Sequence, residues 1–137
     1  LMAFNRIYQT FDGIYHDIAL KLGLSDSGFV ILYTICETGD GCLQKNLSTM
    51  LSMSKQTINS SIRRLEKDDF LTLTSGKGRQ MHIYLTPKGK QFCEKKIFPL
   101  IAMENKAFSC MKKDECNLML KLFNDYCQAL KDSISKL

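Results

Sequence analysis

The sequence predicts an α+β protein that is mainly α-helical, with one small β-hairpin among amphipathic helices. Apolar residues recur at three- and four-residue intervals along most of the chain, which is the period of a helix with one buried face. Two five-residue runs, 70–74 and 81–85, have strand character instead. With 137 residues, 45% of them hydrophobic, the chain is long enough for one domain that packs a core without disulfides or metals.

Two helices are predicted before residue 40. The first covers residues 4–22, where eight apolar side chains follow the helical period. Gly23 is suited to end it, and Ser25 is suited to cap a second helix that runs to about residue 37. The triplet Gly39-Asp40-Gly41 then breaks the chain.

The next two predicted helices are short and separated by a tight turn. One covers residues 44–51, and the turn is Ser52-Met53. Ser54 can cap the other helix, which runs to about residue 68 and carries a buried stripe of Ile58, Ile62 and Leu65. Two short helices in this arrangement are typical of a helix-turn-helix.

A hairpin follows, formed by the strands at 70–74 and 81–85. Its tip, residues 75–80, holds Lys77 between two glycines and Arg79 directly after the second. His82 is expected on the surface of the second strand. A helix-turn-helix followed by a basic hairpin is a winged helix-turn-helix, whose wing can reach the minor groove or the phosphates of DNA.

Two more helices are predicted after the hairpin. Thr86-Pro87 begins one that runs to about residue 106, with a kink expected at Pro99. The last covers residues 112–137, and Cys116 and Cys127 lie on its apolar stripe, where core packing is expected. We predict that 25–90 is the DNA-binding region and that 1–24 with 91–137 is a helical dimerisation region. Packing of these helices within one monomer is the alternative.

The positive charge is concentrated in one part of the chain. The formal net charge is +5, whereas residues 43–90 alone carry nine basic and three acidic side chains, a net of +6. Such a block favours one polyanionic partner over nonspecific binding by the whole surface, although a solvated basic face would have the same composition.

The fourth helix carries the residue types that contact base edges and phosphates. Arginine reads guanine, asparagine and glutamine read adenine, and serine and threonine read either base. The predicted recognition-helix contacts are Ser54, Lys55, Gln56, Thr57, Asn59, Ser60, Arg63 and Arg64, and the predicted wing contacts are Lys77 and Arg79. Taken alone, this helix face could equally be an ordinary solvated one.

Three segments together resemble the MarR family of bacterial transcription regulators. They are Ser-Lys-Gln-Thr-Ile-Asn-Ser at 54–60, Ile-Arg-Arg-Leu-Glu-Lys at 62–67, and Ile-Tyr-Leu-Thr-Pro-Lys-Gly at 83–89. The resemblance covers nearly the whole chain. It implies a homodimer that binds palindromic double-stranded DNA, usually as a repressor, and that releases DNA when a small molecule or an oxidant acts.

Two positions depart from the family pattern. Lys77 stands where the family wing usually has an aspartate that braces the arginine, here Arg79. Asp69 stands where the family prefers glycine after the recognition helix. Aspartate tolerates the left-handed backbone conformation better than most residues, so we expect the turn to form at some cost.

The aromatic side chains of the first two predicted helices could line a cleft for a small-molecule effector. The candidate lining residues are Tyr8, Phe11, Tyr15, His16 and Tyr33. Simple core packing of the same side chains is the alternative. No catalytic motif is present in the sequence, so we predict neither an enzyme nor a cofactor.

The six cysteines have no zinc-ligand spacing, so no metal site is predicted. Cys36 and Cys42 flank a helix end and a turn, which leaves a thiol-based redox regulator open. A winged-helix protein–protein adaptor is the other alternative. Leu1-Met2 resembles a tag remnant, and neither a signal peptide nor an apolar run of membrane-spanning length is present. We therefore expect a cytoplasmic protein without a membrane partner.

Overall fold

The computed structural model describes residues 1–78 and 80–135, so Arg79 and the last two residues lie outside the described part. The chain divides into two compact units, Leu1–Pro99 and Leu100–Leu137. The first unit holds the helix-turn-helix and the hairpin together with the leading helices. It includes the first helix because that helix packs on the second through Ala19, which is fully buried.

The first two helices are α1 (Met2–Lys21) and α2 (Asp26–Thr38). α1 ends in a Schellman motif, because Gly23 has φ +71° and the Leu24 amide donates to the Ala19 carbonyl at 3.0 Å. As predicted, the Ser25 hydroxyl caps α2, accepting from the Gly28 amide at 3.1 Å. No single described helix is long and apolar enough to cross a membrane, although α1 and α2, bent by 89°, pass that test together on length and composition.

The helix-turn-helix consists of α3 (Gln44–Met50) and α4 (Lys55–Lys67). The Ser54 hydroxyl caps α4 by accepting from the Thr57 amide at 3.0 Å. The predicted stripe is buried: Ile58, Ile62 and Leu65 each expose no more than 2% of their surface. This burial fixes which face of α4 remains exposed.

The wing is a three-stranded antiparallel sheet in the order β1 (Cys42–Leu43), β3 (Met81–Leu85), β2 (Leu71–Ser75). Strand β1 was not predicted, because two residues are too short to show an alternating pattern. It pairs Cys42 with Ile83 and Leu43 with His82. The start of α3 is therefore attached directly to the sheet.

The helix after the hairpin contains a π-helical segment. α5 (Pro87–Phe92) is followed by π1 (Cys93–Ile97) and then by α6 (Phe98–Phe108). The Thr86 hydroxyl caps α5, as predicted. The sequence predicts a kink at Pro99, and the structure has π1 in the turn before it, where the missing N–H and the ring of the proline disturb the α-helical hydrogen bonds.

The second unit ends in α7 (Lys113–Ile134), whose first turn is capped by Glu115, which accepts from the Lys112 amide at 2.7 Å. No described residue of α7 is buried. The core position predicted for Cys116 and Cys127 is therefore wrong for the single chain, in which both are half-buried.

Asp69 adopts the left-handed conformation expected for it, with φ +61°. It completes a Schellman motif at the end of α4, in which the Phe70 amide donates to the Leu65 carbonyl at 2.9 Å. We expect Asp69→Gly to raise the free energy of unfolding by about 0.5–1 kcal/mol, because it removes the left-handed strain and a carboxylate at a helix C-terminus.

Urea denaturation measures this gain, with Asp68→Gly as the matched control. Asp68 also lies at the end of α4 but has φ −81°, so its replacement removes the same charge without relieving strain. Equal stabilisation by the two variants would contradict the conformational part of the argument.

Candidate nucleic-acid interface

α4 presents a continuous polar face to solvent. All eight residues predicted to contact DNA from this helix are exposed. At about 100° per residue, Gln56, Ser60 and Arg63 lie opposite the buried stripe, while Asn59 and Arg64 lie on its two flanks. The burial of one face therefore exposes the residues with base-reading chemistry on the other.

The hydroxyls of all three serine and threonine residues predicted to contact DNA already take part in bonds at the start of α4. The Ser54 hydroxyl accepts from the Thr57 amide and lies 2.8 Å from the Thr57 hydroxyl, and the Ser60 hydroxyl donates to the Thr57 carbonyl at 3.0 Å. These bonds stabilise the N-terminal end of α4, the end that would enter a groove first.

The side chain of Asn59 is hydrogen-bonded to a side chain of the neighbouring helix, α3. The Gln44 side-chain amide, in the first residue of α3, donates to the Asn59 side-chain carbonyl. Both residues line a cleft of about 370 Å³ that is bounded by α3, α4 and the wing sheet. The other residues of its lining are Leu43, Lys45, Ser48, Lys55, Ile58, Gln80 and Met81.

The sequence-based prediction did not include Gln44, Lys45 and Ser48, which bring polar and basic chemistry from α3 to the same surface. No local sequence pattern indicates them, because they reach this surface only when α3 packs against α4, a helix about fifteen residues later in the chain.

The wing tip lies close to the side chain of His82. The Gly76 amide donates to the Gln80 carbonyl at 2.8 Å, Gly78 has φ +70°, and Lys77 is exposed. Gly76 lies so close to His82 that an added Cβ would come within 2.8 Å of the imidazole. Arg79, the other predicted wing contact, lies outside the described residues.

His82 is half-buried rather than a surface residue as expected. Its Nδ1 lies 3.0 Å from the Gly41 carbonyl, and its ring stacks on Tyr84 at 6.4 Å between centroids. The prediction was wrong because the turn before β1 comes back to the sheet, and that long-range pairing has no signal in the alternation of β3.

The structure divides the basic block into two groups. Lys88 donates to the Asp68 carbonyl at 2.7 Å and lies 4.9 Å above the Phe70 ring, and Lys90 pairs with Asp40 at 3.4 Å. Lys88 thus joins α5 to the end of α4, and Lys90 joins α5 to the turn before β1. Lys45, Lys55 and Lys77 lie on the side of α3, α4 and the wing.

Four of the five predicted effector-cleft residues line one apolar cleft. Tyr8, Phe11, Tyr15 and Tyr33, with Asp12, Phe29 and Val30, surround about 390 Å³ between α1 and α2. His16 does not line it, because its imidazole turns to the Asp26 carboxylate, with Nδ1 2.9 Å from one oxygen and 3.0 Å from the other.

Cys36, one of the two cysteines considered for redox regulation, contacts a third cysteine. Cys36 in α2 is hydrogen-bonded to Cys93 at the start of π1, whereas Cys42 lies in β1. The bond to Cys93, with burial, raises the pKa of the Cys36 thiol, and the same bond lowers the pKa of Cys93. Burial raises the pKa of Cys42. Among the described residues, no group of three or more metal-binding side chains could hold a metal ion.

The fold is similar to that of solved MarR-family structures. A MarR family regulator from Neisseria meningitidis superposes with a TM-score of 0.84 at 17% identity, over 99% of this chain and 96% of that one. A putative MarR family transcriptional regulator from Listeria monocytogenes, complexed with 26mer DNA, gives 0.73 at 24% identity, over 97% of this chain and 89% of that one.

The S. aureus MepR–DNA complex gives a TM-score of 0.75 at 18% identity, over 94% of this chain and 96% of that one. No family model and no curated protein matches the sequence. The winged helix-turn-helix with flanking helices, and its likeness to the MarR fold, are thus confirmed.

Proposed function

We propose that the chain is a sequence-specific, DNA-binding transcriptional regulator of the MarR type, acting as a cytoplasmic homodimer on a palindromic operator. The observation that carries this proposal is the exposed polar face of α4 beside a basic wing. A helix of this kind fits the major groove, and its N-terminal residues contact base edges. The two solved DNA complexes of the same fold support the proposal.

Residues 25–90 would bind DNA, and the roles of the side chains follow from their positions. Gln56, Asn59 and Arg63 would contact base edges, whereas Lys55 and Lys77 would contact phosphates. Ser54, Thr57, Ser60 and Arg64 would supply further polar contacts along α4, and Arg79 would act from the wing.

Homodimerisation through 1–24 and 91–137 is supported by exposed apolar side chains. Large contiguous apolar patches mark interaction sites on folded proteins. Exposed side chains of this type in α1 include Ile7, Phe11 and Ile14, and those in α7 include Leu118, Leu122, Leu130 and Ile134. A two-fold dimer would place its recognition helices about 34 Å apart, one turn of DNA.

Repression relieved by a small molecule is the regulatory part of the proposal. The apolar cleft between α1 and α2 supports it, since five tyrosine and phenylalanine side chains surround a volume of ligand size. A screen for compounds that release DNA from the protein tests this part, and Tyr33→Ala should weaken the response to any compound that binds in the cleft.

The first test of DNA binding is its dependence on salt. A dimer that neutralises about 6–10 phosphates releases their counterions, so log K should fall against log salt with a slope of about −5 to −9. Fluorescence anisotropy with operator DNA selected from a random pool measures this slope. A protein that selects no sequence and shows a flat salt response would be a winged-helix protein–protein adaptor instead.

A thiol-based response is the second candidate function, favoured by the Cys36–Cys93 contact. A hydroperoxide would oxidise one thiol of the pair to a sulfenic acid and become an alcohol. The other thiol would then displace water to form a disulfide. We expect oxidation to lower DNA affinity at least about fivefold, because the bond would join α2 to π1.

Thiol counting, peptide mapping and anisotropy on the oxidised protein measure this effect, and Cys36→Ser should abolish it. Cys110→Ser is the matched control, since Cys110 is exposed and lies in the other unit. Unchanged affinity in protein shown to carry the disulfide would eliminate redox regulation through this pair.

A further inference from the structure

The imidazole of His82 contacts two separate turns of the wing. On one side, its Nδ1 lies 3.0 Å from the Gly41 carbonyl oxygen, and because a carbonyl can only accept, Nδ1 carries the proton and donates. On the other side, the ring lies against Gly76, where an added Cβ would come within 2.8 Å of both Cδ2 and Nε2. One side chain therefore joins the turn before β1 to the tip of the hairpin.

The turn that holds Gly41 is fixed to the rest of the first unit. The Gly41 amide donates to the Ile83 carbonyl at 2.9 Å, and the Asp40 carboxylate accepts from the Leu85 amide at 2.7 Å. The same carboxylate pairs with Lys90 of α5 at 3.4 Å. These contacts attach the turn to the middle strand of the sheet and to α5, so the carbonyl that binds the imidazole has a fixed position.

The Gly76 contact lies beyond the paired strands, whose last pair is Ser75 with Met81. Gly78 has φ +70°, a left-handed conformation that favours glycine, whereas Gly76 does not have a positive φ. The conformation of the backbone therefore does not require glycine at position 76. The imidazole does, because it occupies the space that a Cβ would need, and without that Cβ the ring packs directly on the backbone of the tip.

We propose that His82 is a positioning residue that holds the wing tip where Lys77 contacts a DNA phosphate. Lys77 directly follows Gly76 and is exposed. A turn of the sequence Gly-Lys-Gly has much conformational freedom to lose when it binds DNA, and a turn that is already held by the imidazole loses less. The inference rests on the proposed DNA-binding function, because it names the residue that prepares the phosphate contact of the wing.

The first test is the salt dependence of DNA binding by His82→Ala, which removes both contacts of the ring. Each phosphate contact contributes about 0.9 to the slope of log K against log salt, so loss of the Lys77 contact in both protomers should make the slope shallower by about 2. Lys77→Ala should change the slope equally, and the double variant should bind operator DNA within about twofold of Lys77→Ala. Fluorescence anisotropy measures all three. A lower stability of the fold alone would leave the slope of the folded complex unchanged.

The second test needs no DNA. The Gly76 amide donates to the Gln80 carbonyl at 2.8 Å, and its hydrogen exchange in the free protein should become at least about fivefold faster in His82→Ala. Gly76→Ala is the second variant, because it pushes the tip away from the ring and leaves His82 in place. It should make the salt slope shallower by the same amount, also if His82→Ala does not fold.

Thr72→Ala is the matched control, because Thr72 is exposed on β2 opposite Tyr84 and lies further from the tip. It should change neither the slope nor the exchange rate. Unchanged slopes in His82→Ala and Gly76→Ala, unchanged exchange in folded His82→Ala, or a further loss of affinity in the double variant would each overturn the inference alone. A wild type that selects no DNA sequence would refute the proposed function, and the inference with it.

Discussion

Replacing Gly89 by alanine is expected to destabilise the first unit by about 3–5 kcal/mol. A Cβ at this position would lie 1.9 Å from the carbonyl oxygen of Phe70, whereas real Cβ atoms essentially never come closer than 3.0 Å to another atom of this kind. That carbonyl is held in place, because it accepts from the Thr86 amide at 3.1 Å. The clash is therefore with backbone, and α5 must move away from the end of the helix-turn-helix to relieve it.

Urea denaturation of the full chain measures this loss, and Gly13→Ala is the matched control. Gly13 also lies inside a helix, α1, but an added Cβ there meets no atom within 4 Å. Its replacement should stabilise the protein by about 0.5–1 kcal/mol, because alanine is the better helix former. A midpoint for Gly89→Ala close to that of wild type would show that the α5 contact is looser than the structure indicates.

Gly89 also shows what the sequence could and could not provide. It is the last residue of the Ile-Tyr-Leu-Thr-Pro-Lys-Gly segment, in which the sequence shows a resemblance without a physical cause. The structure supplies that cause, which is the close approach of α5 to the chain that leaves α4. Since the contact joins residues 70 and 89, no local propensity could indicate it.

Helix ends were the best predicted features, because their signals are local. Ser25, Ser54 and Thr86 each cap the helix expected of them, and Asp69 takes the left-handed conformation expected of it. A cap depends on a side chain and an amide only three residues away. The buried stripe of α4 was predicted for a similar reason, since its period lies within one helix.

Contacts between distant segments were missed. Strand β1 forms only by pairing with β3, forty residues later, and its pairing brings Gly41 to His82. The Gln44–Asn59 and Cys36–Cys93 contacts likewise depend on the packing of separate helices. A charge count has the same limitation, because it cannot separate Lys88 and Lys90, which contact other parts of the protein, from the lysines on the proposed DNA-binding surface.

Placing an aspartate at Leu122 is expected to break the proposed dimer and to lower the affinity for a palindromic operator by about 10²- to 10⁴-fold. Leu122 is 56% exposed in the single chain, so the substitution costs little in the monomer. In a dimer interface, the same carboxylate would be buried without a partner, at a cost of several kcal/mol. A monomer would then bind each half-site independently and lose the effective concentration that linkage provides.

Light scattering after size-exclusion chromatography gives the oligomeric state, and anisotropy with whole and half operators gives the two affinities. Asn124→Asp is the matched control, because it adds the same charge to α7 two residues away, on a different face of the helix. It should remain dimeric and bind as wild type does. If Leu122→Asp became monomeric yet kept full operator affinity, one recognition helix would suffice and the two-fold operator would be wrong. If it stayed dimeric, the interface would lie elsewhere than on this face of α7.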